Sequence, residues 1–306
     1  MFNILVRIRY SLLLLALCVL TSCIVAQRPG QVTLGAASSV ALDLDKPEDN
    51  LTAFVKMRAS LKAGEETVYY WKGIIYSYIP GERGLPLFEL EAYNVARIVP
   101  VEGGYQMLTR EVALYKDLKT GEILEKWYNP FIQDTVNVVH VWNDPVNQQY
   151  LLKGRFGDWG VPWMRMGDGR IAMYSDIFLL YPSPLKREAF PENSRSDLYQ
   201  ASELFQFFIN EADLNDASKQ HVYSEVGWTR ISDFLPWMRM GDRPGHLIYH
   251  CRGYKLMDGT FDALPAQVKA YVREHQPQFM HAPDTFESPN MTSWRYFLET
   301  QTDQKN

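Results

Sequence analysis

Apolar runs rich in aromatic and β-branched residues follow one another along the chain from residue 67 onward. Short polar breaks at 80–84, 102–104 and 117–121 separate the first four runs and have the length of hairpin turns. Successive runs of this kind predict an antiparallel meander. The predicted strands cover residues 67–79, 85–99, 105–116, 122–127, 136–142, 171–181, 222–230 and 247–256.

Other segments show the helical spacing of apolar residues. The first opens with Pro47 and two acids and continues to Leu61, and a proline followed by acids is a helix-start signal. Two more helices are predicted over 265–275 and 292–300. Residues 203–211 fit a strand and a helix alike, because their apolar positions satisfy both periods, and we favour the strand.

These elements predict a mainly β fold. We expect an antiparallel barrel or a strongly curved sheet of lipocalin-like kind, with helices flanking one side or end. No linker rich in Pro, Gly and Ser divides residues 45–302. A single domain is therefore expected over that range.

The N-terminal segment differs in composition. Arg7 and Arg9 precede the apolar run 12–20, an order that is typical of a signal peptide. The run is too short to span a bilayer, which needs about 20 apolar residues. The sequence Leu-Thr-Ser-Cys at 20–23 then resembles the lipobox of bacterial lipoproteins, which implies removal of residues 1–22 and acylation of Cys23.

A lipid on Cys23 implies an address in the cell envelope. Two or more acyl chains, the number that lipoprotein anchors carry, hold a protein on a membrane. Ile24 stands where an aspartate, by the same resemblance, favours retention in the inner membrane, so we expect an outer-membrane protein that faces the periplasm. Residues 23–44 are expected to form the lipidated N-terminus and a tether.

The charge of the chain and its cysteine content exclude some partners and cross-links. The full chain carries a formal net charge of −5, and the signal segment holds two arginines and no acid, so the exported part is more acidic. Nucleic acid is therefore not an expected partner. With Cys18 removed and Cys23 acylated, Cys251 remains alone, and no internal disulfide is expected.

One seven-residue sequence, Pro-Trp-Met-Arg-Met-Gly-Asp, occurs twice, at 162–168 and 236–242. An apolar strand follows each copy, so we expect equivalent loops in which the two tryptophans and the two arginines occupy comparable environments. If the loops converge on a pocket, they present a site for an anionic or hydroxylated ligand. Alternatively, each arginine pairs with its neighbouring acid as a loop brace. The candidate residues are Trp163, Arg165, Asp168, Trp237, Arg239 and Asp242.

His250 is a further candidate, as a lone general base. It shares a strand face with His246, but four residues of strand separate the two by about 13 Å, too far to share one metal, and no metal site is predicted. Cys251 points to the opposite face and is expected to be a buried apolar residue. No phosphate-binding glycine loop and no serine-hydrolase motif occurs, and no cofactor is expected.

Tyrosines recur along the first predicted strand. Tyr70, Tyr76 and Tyr78 alternate with other residues and fall on one face together with Lys72 and Ile74. One face of a barrel strand lines the interior, so these tyrosines are predicted to wall a ligand cavity. The alternative is that they only pack the core of a large sheet.

Several short blocks are spread over the chain from about residue 42 to about 285. They are 42–45 leading into 50–51, 71–73, 109–112, 120–122, Trp127 with 129–130, 143–145 and 236–241. Together these blocks resemble an uncharacterised bacterial family, domain-of-unknown-function family 1838. The resemblance implies one exported globular domain and brings no activity or catalytic residues with it.

Three functions follow from these patterns. The leading hypothesis is an exported lipoprotein that binds a small apolar or aromatic ligand in the cavity of a β-barrel. The alternative is an envelope enzyme of hydrolase, lyase or isomerase type that uses the duplicated arginines and aspartates. The third is a structural envelope lipoprotein with a solid sheet interior. The sequence patterns favour no particular reaction, so both enzymatic and non-enzymatic functions remain among the hypotheses.

Overall fold

The computed structural model describes residues 41–155 and 157–303. The predicted signal peptide, Cys23 and most of the predicted tether lie outside the described residues. No helix in the described part of the chain is long and apolar enough to cross a membrane.

The described residues form fourteen strands and four α-helices. The helices are α1 Pro47–Arg58, α2 Glu211–Asn215, α3 Ala266–His275 and α4 Ser293–Asp303. The first seven strands are β1 Thr67–Tyr78, β2 Leu85–Val101, β3 Gly104–Lys116, β4 Lys126–Asn129, β5 Asp134–Asn137, β6 Val141–Asn143 and β7 Gln148–Leu151. The others are β8 Lys153–Gly154, β9 Gly157–Asp158, β10 Trp163–Arg165, β11 Arg170–Pro182, β12 Leu198–Asn210, β13 Ser224–Ser232 and β14 His246–Leu256.

Most of the predicted elements are confirmed. All eight long or medium apolar runs contain strand, and the ambiguous segment 203–211 belongs mostly to β12. The run 136–142 is instead divided between β5, which pairs with β4, and β6, which pairs with β3. In the run 122–127 only the last two residues belong to β4, while Ile123 forms an isolated bridge to Lys116.

One antiparallel sheet dominates the fold. Its strand order is β10-β11-β12-β13-β14-β1-β2-β3-β6, and β7 also pairs with β3. Of the two predicted forms, a closed barrel or a strongly curved sheet, the closed barrel is wrong for the described residues, because no pairing there joins β10 to β6 or β7. These edge strands have only three or four residues, so each edge offers few backbone groups for closure.

Both faces of the sheet are covered. One face carries the larger apolar core, to which α1 contributes Phe54 and β1 contributes Tyr69 and Trp71. The other face carries a second core that includes Tyr70 of β1 and Val268 of α3. Because neighbouring residues of a strand point to opposite faces, the first five residues of β1 are buried on both sides, whereas Lys72 and Tyr78 farther along are exposed.

Candidate functional site

A cavity of about 970 Å³ lies against the face of the sheet that carries the larger core. Residues of α1, of β1–β3, of β6 and β7 and of β11–β14 line it, together with segments 159–162 and 290–294. Aromatic side chains form much of the wall; among them are Trp71, Tyr115, Tyr150, Phe205, Trp228 and Tyr249. We call this space the central cavity.

Small residues leave room in the middle of the sheet. Trp71 of β1 is paired with Ala92 of β2, and Ala92 is paired with Ala113 of β3. Both alanines line the central cavity. Larger side chains at these positions would project into the space, because paired residues on adjacent strands point to the same face.

A row of polar residues crosses three strands at the wall of the central cavity. Asn94 of β2 is paired with Glu111 of β3, which is paired with Asn143 of β6. The Nδ2 atom of Asn143 donates a weak hydrogen bond of 3.5 Å to Oε2 of Glu111. The Oδ1 atoms of Asn94 and Asn143 are buried without a partner. Buried polar atoms normally have hydrogen-bond partners, so unsatisfied ones at a cavity wall indicate a binding site.

Glu111 titrates near neutral pH. Burial raises the pKa of its carboxyl group from 4.5 to about 7, and the charge of Glu203 adds to the increase. The hydrogen bond from Asn143 and the charges of Arg230 and Arg58 oppose it. A carboxyl group with a pKa near the pH of its surroundings is able to donate or accept a proton there.

Arg58 brings a positive charge to the central cavity from the last turn of α1. Its guanidinium carbon lies 4.9 Å from the ring centroid of Tyr69 and 5.8 Å from that of Phe207. The Nη1 atom is buried and has no hydrogen-bond partner. Within the part of the chain that the structure describes, no carboxylate forms an ion pair with Arg58.

Arg230 is the second cation of the central cavity, and its charge is compensated. It is paired across the strands with Glu203, and its guanidinium group donates to the Glu203 carboxylate and to the Tyr199 hydroxyl group. Tyr249 is the cross-strand neighbour of Arg230 on β14. Burial raises the pKa of Tyr249 to about 12, so its hydroxyl group keeps its proton at neutral pH.

Two indole groups add hydrogen-bond donors. Trp71 and Trp228 line the central cavity, and the buried Nε1 atom of each has no partner. Together with Arg58, they offer donors for a polar group of a ligand, while the aromatic walls suit its apolar part.

The tyrosines predicted to wall a cavity lie on the other face of β1. Tyr70 belongs to the second core, and its hydroxyl group donates to Oε1 of Glu91 over 2.5 Å. Tyr76 and Tyr78 share that face, and Tyr78 is 60% exposed. The residue of β1 that lines the central cavity is Trp71, one position away from Tyr70.

The two copies of the repeated sequence adopt different structures, which corrects the expectation of equivalent loops. Trp163 lies in the edge strand β10 and is partly exposed, whereas Trp237 is buried in the 3₁₀ turn Pro236–Met238. Arg239 follows in the left-handed conformation with φ 56°. The local sequence is the same, but one copy pairs with β11 while the other packs against Phe88 and other aromatic side chains.

The polar residues of the two copies act as surface braces with different partners. Arg165 pairs with Glu211 over 2.9 Å and stacks on Trp163, whereas Arg239 pairs with Asp134 and Glu192. None of the four predicted polar residues lines the central cavity.

The acids of the repeat do not pair with the arginines of the repeat. Asp168 binds Arg170, and this hydrogen bond lowers the pKa of its carboxyl group. Asp242 binds Arg187. Trp237 and Arg239 instead line a second cavity of about 450 Å³.

His250 also lies outside the central cavity. It is exposed on β14, whereas its neighbours Tyr249 and Cys251 are buried on the cavity side of the sheet. Burial raises the pKa of the Cys251 thiol to about 12, so it is an unreactive apolar residue there. Within residues 41–155 and 157–303, no group of three His, Cys, Asp or Glu side chains is placed to hold a metal.

The polar residues of the central cavity were not predicted from the sequence. Those with charged side chains are Arg58, Glu111, Asp176, Glu203 and Arg230, and the others include Asn94 and Asn143. One signal was present, since Asn94 and Glu111 each interrupt an apolar strand at a position that turns out to be inward-facing. A buried polar residue in a strand is more informative than an exposed one.

Comparison with known proteins supports the resemblance noted in the sequence. A search of curated proteins returns no match. The family described as "Protein of unknown function (DUF1838)" matches residues 64–301, which include every strand of the large sheet. The chain therefore belongs to the DUF1838 family of proteins of unknown function.

Proposed function

We propose that this protein binds a small, largely apolar or aromatic molecule in the central cavity. The observation that carries the proposal is the cavity itself, whose volume of about 970 Å³ is large enough for a small organic ligand. Aromatic side chains form much of its wall, and several residues with buried, unpaired polar atoms line it as well. A scaffold protein with a solid sheet interior has no need of such a space.

A strongly curved sheet is part of the proposal. Strands near both ends of the strand order, β3 and β11, contribute to one cavity. A flat sheet of this width would hold those strands far apart, because neighbouring strands are about 4.8 Å apart. Curvature thus replaces barrel closure as the means of enclosing a ligand.

Binding of a neutral aromatic probe tests the proposal. Phenylnaphthylamine should bind with increased fluorescence, and Ala113→Trp should weaken its binding at least tenfold, since the new ring occupies the central cavity. Gln200→Trp, at an exposed position of β12, is the matched control and should bind like the wild type. Equal binding by both variants, or no binding by the wild type, would contradict the proposal.

Acid–base catalysis is a second candidate function. It is favoured by the Glu111 carboxyl group, whose pKa of about 7 suits proton transfer inside a cavity. The duplicated arginines and aspartates do not support it, because they lie outside that cavity. Turnover of a bound compound that stops in Glu111→Gln, while binding persists, would distinguish catalysis from binding alone.

We further propose that the protein is exported and anchored to the outer membrane by a lipid on Cys23, with the domain facing the periplasm. The lipobox-like sequence at 20–23 supports this. Cells fed labelled palmitate should incorporate it into the wild type and not into Cys23→Ser. Cys251→Ser is the matched control and should stay labelled. Equal labelling of wild type and Cys23→Ser would remove the support for an anchor at this residue.

A further inference from the structure

We infer that the ligand of the central cavity is an organic acid whose anionic group is held by Arg58. This inference rests on the proposed binding function and names its ligand class. It follows from the lack of a carboxylate partner for Arg58, from its unpaired Nη1 atom and from the apolar walls around it.

The two cations of the central cavity differ in how far other groups of the protein balance their charge. Arg230 already has a carboxylate partner in Glu203 and a hydroxyl partner in Tyr199. Arg58 interacts with the hydroxyl groups of Tyr69 and Tyr150, but it has no carboxylate partner among the described residues, and its Nη1 atom is buried without an acceptor. A buried cation is costly unless an anion or hydrogen-bond acceptors compensate it. A ligand with an anionic group would supply the negative charge that the protein itself does not place beside Arg58.

The position of Arg58 at the C-terminus of α1 introduces an effect that opposes the binding of an anion. The free carbonyl groups of a helix C-terminus carry partial negative charge and disfavour a nearby anion. Here Lys255 reduces that effect, because its Nζ atom donates to the carbonyl oxygens of Lys56, Met57 and Ala59. Arg58 thus lines the central cavity at a helix end where three carbonyl oxygens already accept hydrogen bonds.

The surroundings of Arg58 select the rest of the ligand. Phe54 and Phe207 line the central cavity close to α1, and the indole groups of Trp71 and Trp228 supply donors without a partner. An apolar or aromatic skeleton suits these walls, and the planar guanidinium group suits a carboxylate or a similar oxyanion. The chemical class is an apolar or aromatic acid.

Glu111 makes the binding of an anion depend on pH. Its carboxyl group faces Asn143 of β6 and interacts with the charges of Arg58 from α1, Arg230 from β13 and Glu203 from β12. Tyr150 of β7, whose burial raises its pKa so that it stays neutral, also interacts with Glu111, and Asp176 of β11 lines the same cavity. When Glu111 is ionised, it repels an anionic ligand and competes for Arg58. Affinity for an acid should therefore fall as pH rises through about 7, whereas affinity for a neutral compound should change little.

Two probes with the same ring skeleton test the inference. Anilinonaphthalene sulfonate carries an anionic group that phenylnaphthylamine lacks. At pH 6 the wild type should bind both, and Arg58→Met should weaken the sulfonate about tenfold or more while changing the neutral probe less than about twofold, as expected for loss of one charged hydrogen-bond donor. Arg165→Met is the matched control, because Arg165 is exposed and outside the central cavity.

A second variant decides the question if Arg58→Met does not fold. Glu111→Gln should tighten binding of the sulfonate at pH 8 and remove its pH dependence between pH 6 and 8, without affecting the neutral probe. Sulfonate binding that is unchanged in both variants, with the neutral probe still bound, overturns this inference and leaves the proposed function standing. Failure of both probes to bind the wild type overturns the proposed function as well.

Discussion

Lys255→Met is expected to lower the free energy of unfolding by roughly 1–3 kcal/mol, because one buried carbonyl group loses its donor and two others lose one of their donors. Lys255 is fully buried on β14, beside Tyr69 of β1. Its Nζ atom lies 2.9 Å from the carbonyl oxygen of Lys56 and 3.2 Å from that of Met57, and it also binds the carbonyl oxygen of Ala59. It thereby fixes the C-terminus of α1 to the sheet.

Two effects act on the charge of Lys255. Burial lowers the pKa of its amine well below the usual range, whereas three carbonyl acceptors are satisfied at once only by the ammonium form with its three protons. Methionine removes the cost of burying that group, which offsets part of the loss. It leaves the carbonyl oxygen of Ala59 without its donor, whereas those of Lys56 and Met57 keep the backbone N–H of Val222 and the hydroxyl group of Tyr69. A net loss is therefore expected in either protonation state.

Urea denaturation of the domain measures this effect. Lys72→Met is the matched control, because Lys72 projects from the opposite face of the neighbouring strand and its side chain is 52% exposed. Its pair with Glu89 is an exposed one, and such pairs contribute about 1 kcal/mol or less. Comparable stability losses in the two variants would show that Lys255 does not hold α1 to the sheet.

Glu111→Gln is expected to stabilise the protein at pH 8 and to leave its stability at pH 4 nearly unchanged. In the folded protein the Glu111 carboxyl group keeps its proton up to a pH of about 7, whereas in the unfolded chain it ionises near its ordinary pKa of 4.5. Between these values the folded state binds more protons. Its stability therefore falls as pH rises from about 4.5 to about 7, and the penalty persists above that.

The size of the gain follows from the pKa difference. A change of one in pKa corresponds to about 1.4 kcal/mol, so roughly 1–3 kcal/mol is expected at pH 8. Denaturation curves at several pH values measure it. Glu102→Gln, in the exposed turn after β2, controls for the loss of one carboxyl group. A Glu111→Gln variant that is less stable than the wild type at pH 8 would contradict the expectation.

Both predictions concern ionisable groups that the fold has buried at a cost. The burial of Lys255 has a structural role, because its amine donates hydrogen bonds to carbonyl groups at the end of α1. Arg58 and Glu111 have no comparable set of partners, and both line the central cavity. Groups of the second kind, which lower stability without satisfying the protein's own atoms, are typical of functional sites.

Strand positions were predictable because apolar runs and the turns between them depend only on residues that are close together in the sequence. The aromatic and β-branched runs before and after residues 80–84 became β1 and β2, and the break after Val101 became the turn to β3. The turn residue Gly103 adopts φ 74°, a conformation that favours glycine. Each of these features depends on a few neighbouring residues, so the sequence alone carries the information.

The face of β1 that lines the central cavity was not predictable in the same way. Tyr70 and Trp71 are adjacent, both aromatic and both buried, because helices and loops cover both faces of the sheet. Alternation identifies two faces but does not say which one meets a cavity. That choice depends on α1 and on distant strands such as β12.

The repeated sequence shows that an identical local sequence does not fix the local structure. Two identical segments became an edge strand and a 3₁₀ turn, because β11 is available to pair with the first copy whereas buried aromatic side chains surround Trp237 in the second. Identical local preferences are overruled when the surrounding contacts differ.

The sequence by itself determined the β class, the order and approximate bounds of the long strands, and the positions of α1, α3 and α4, since turn residues and apolar periodicity act over short distances. Only the tertiary structure decided that the sheet stays open in the described residues, and that Arg58, Glu111 and Arg230 meet around one cavity. Their chemistry arises from burial and from charges contributed by strands far apart in the chain. Desolvation and long-range contact exist only once the chain has folded.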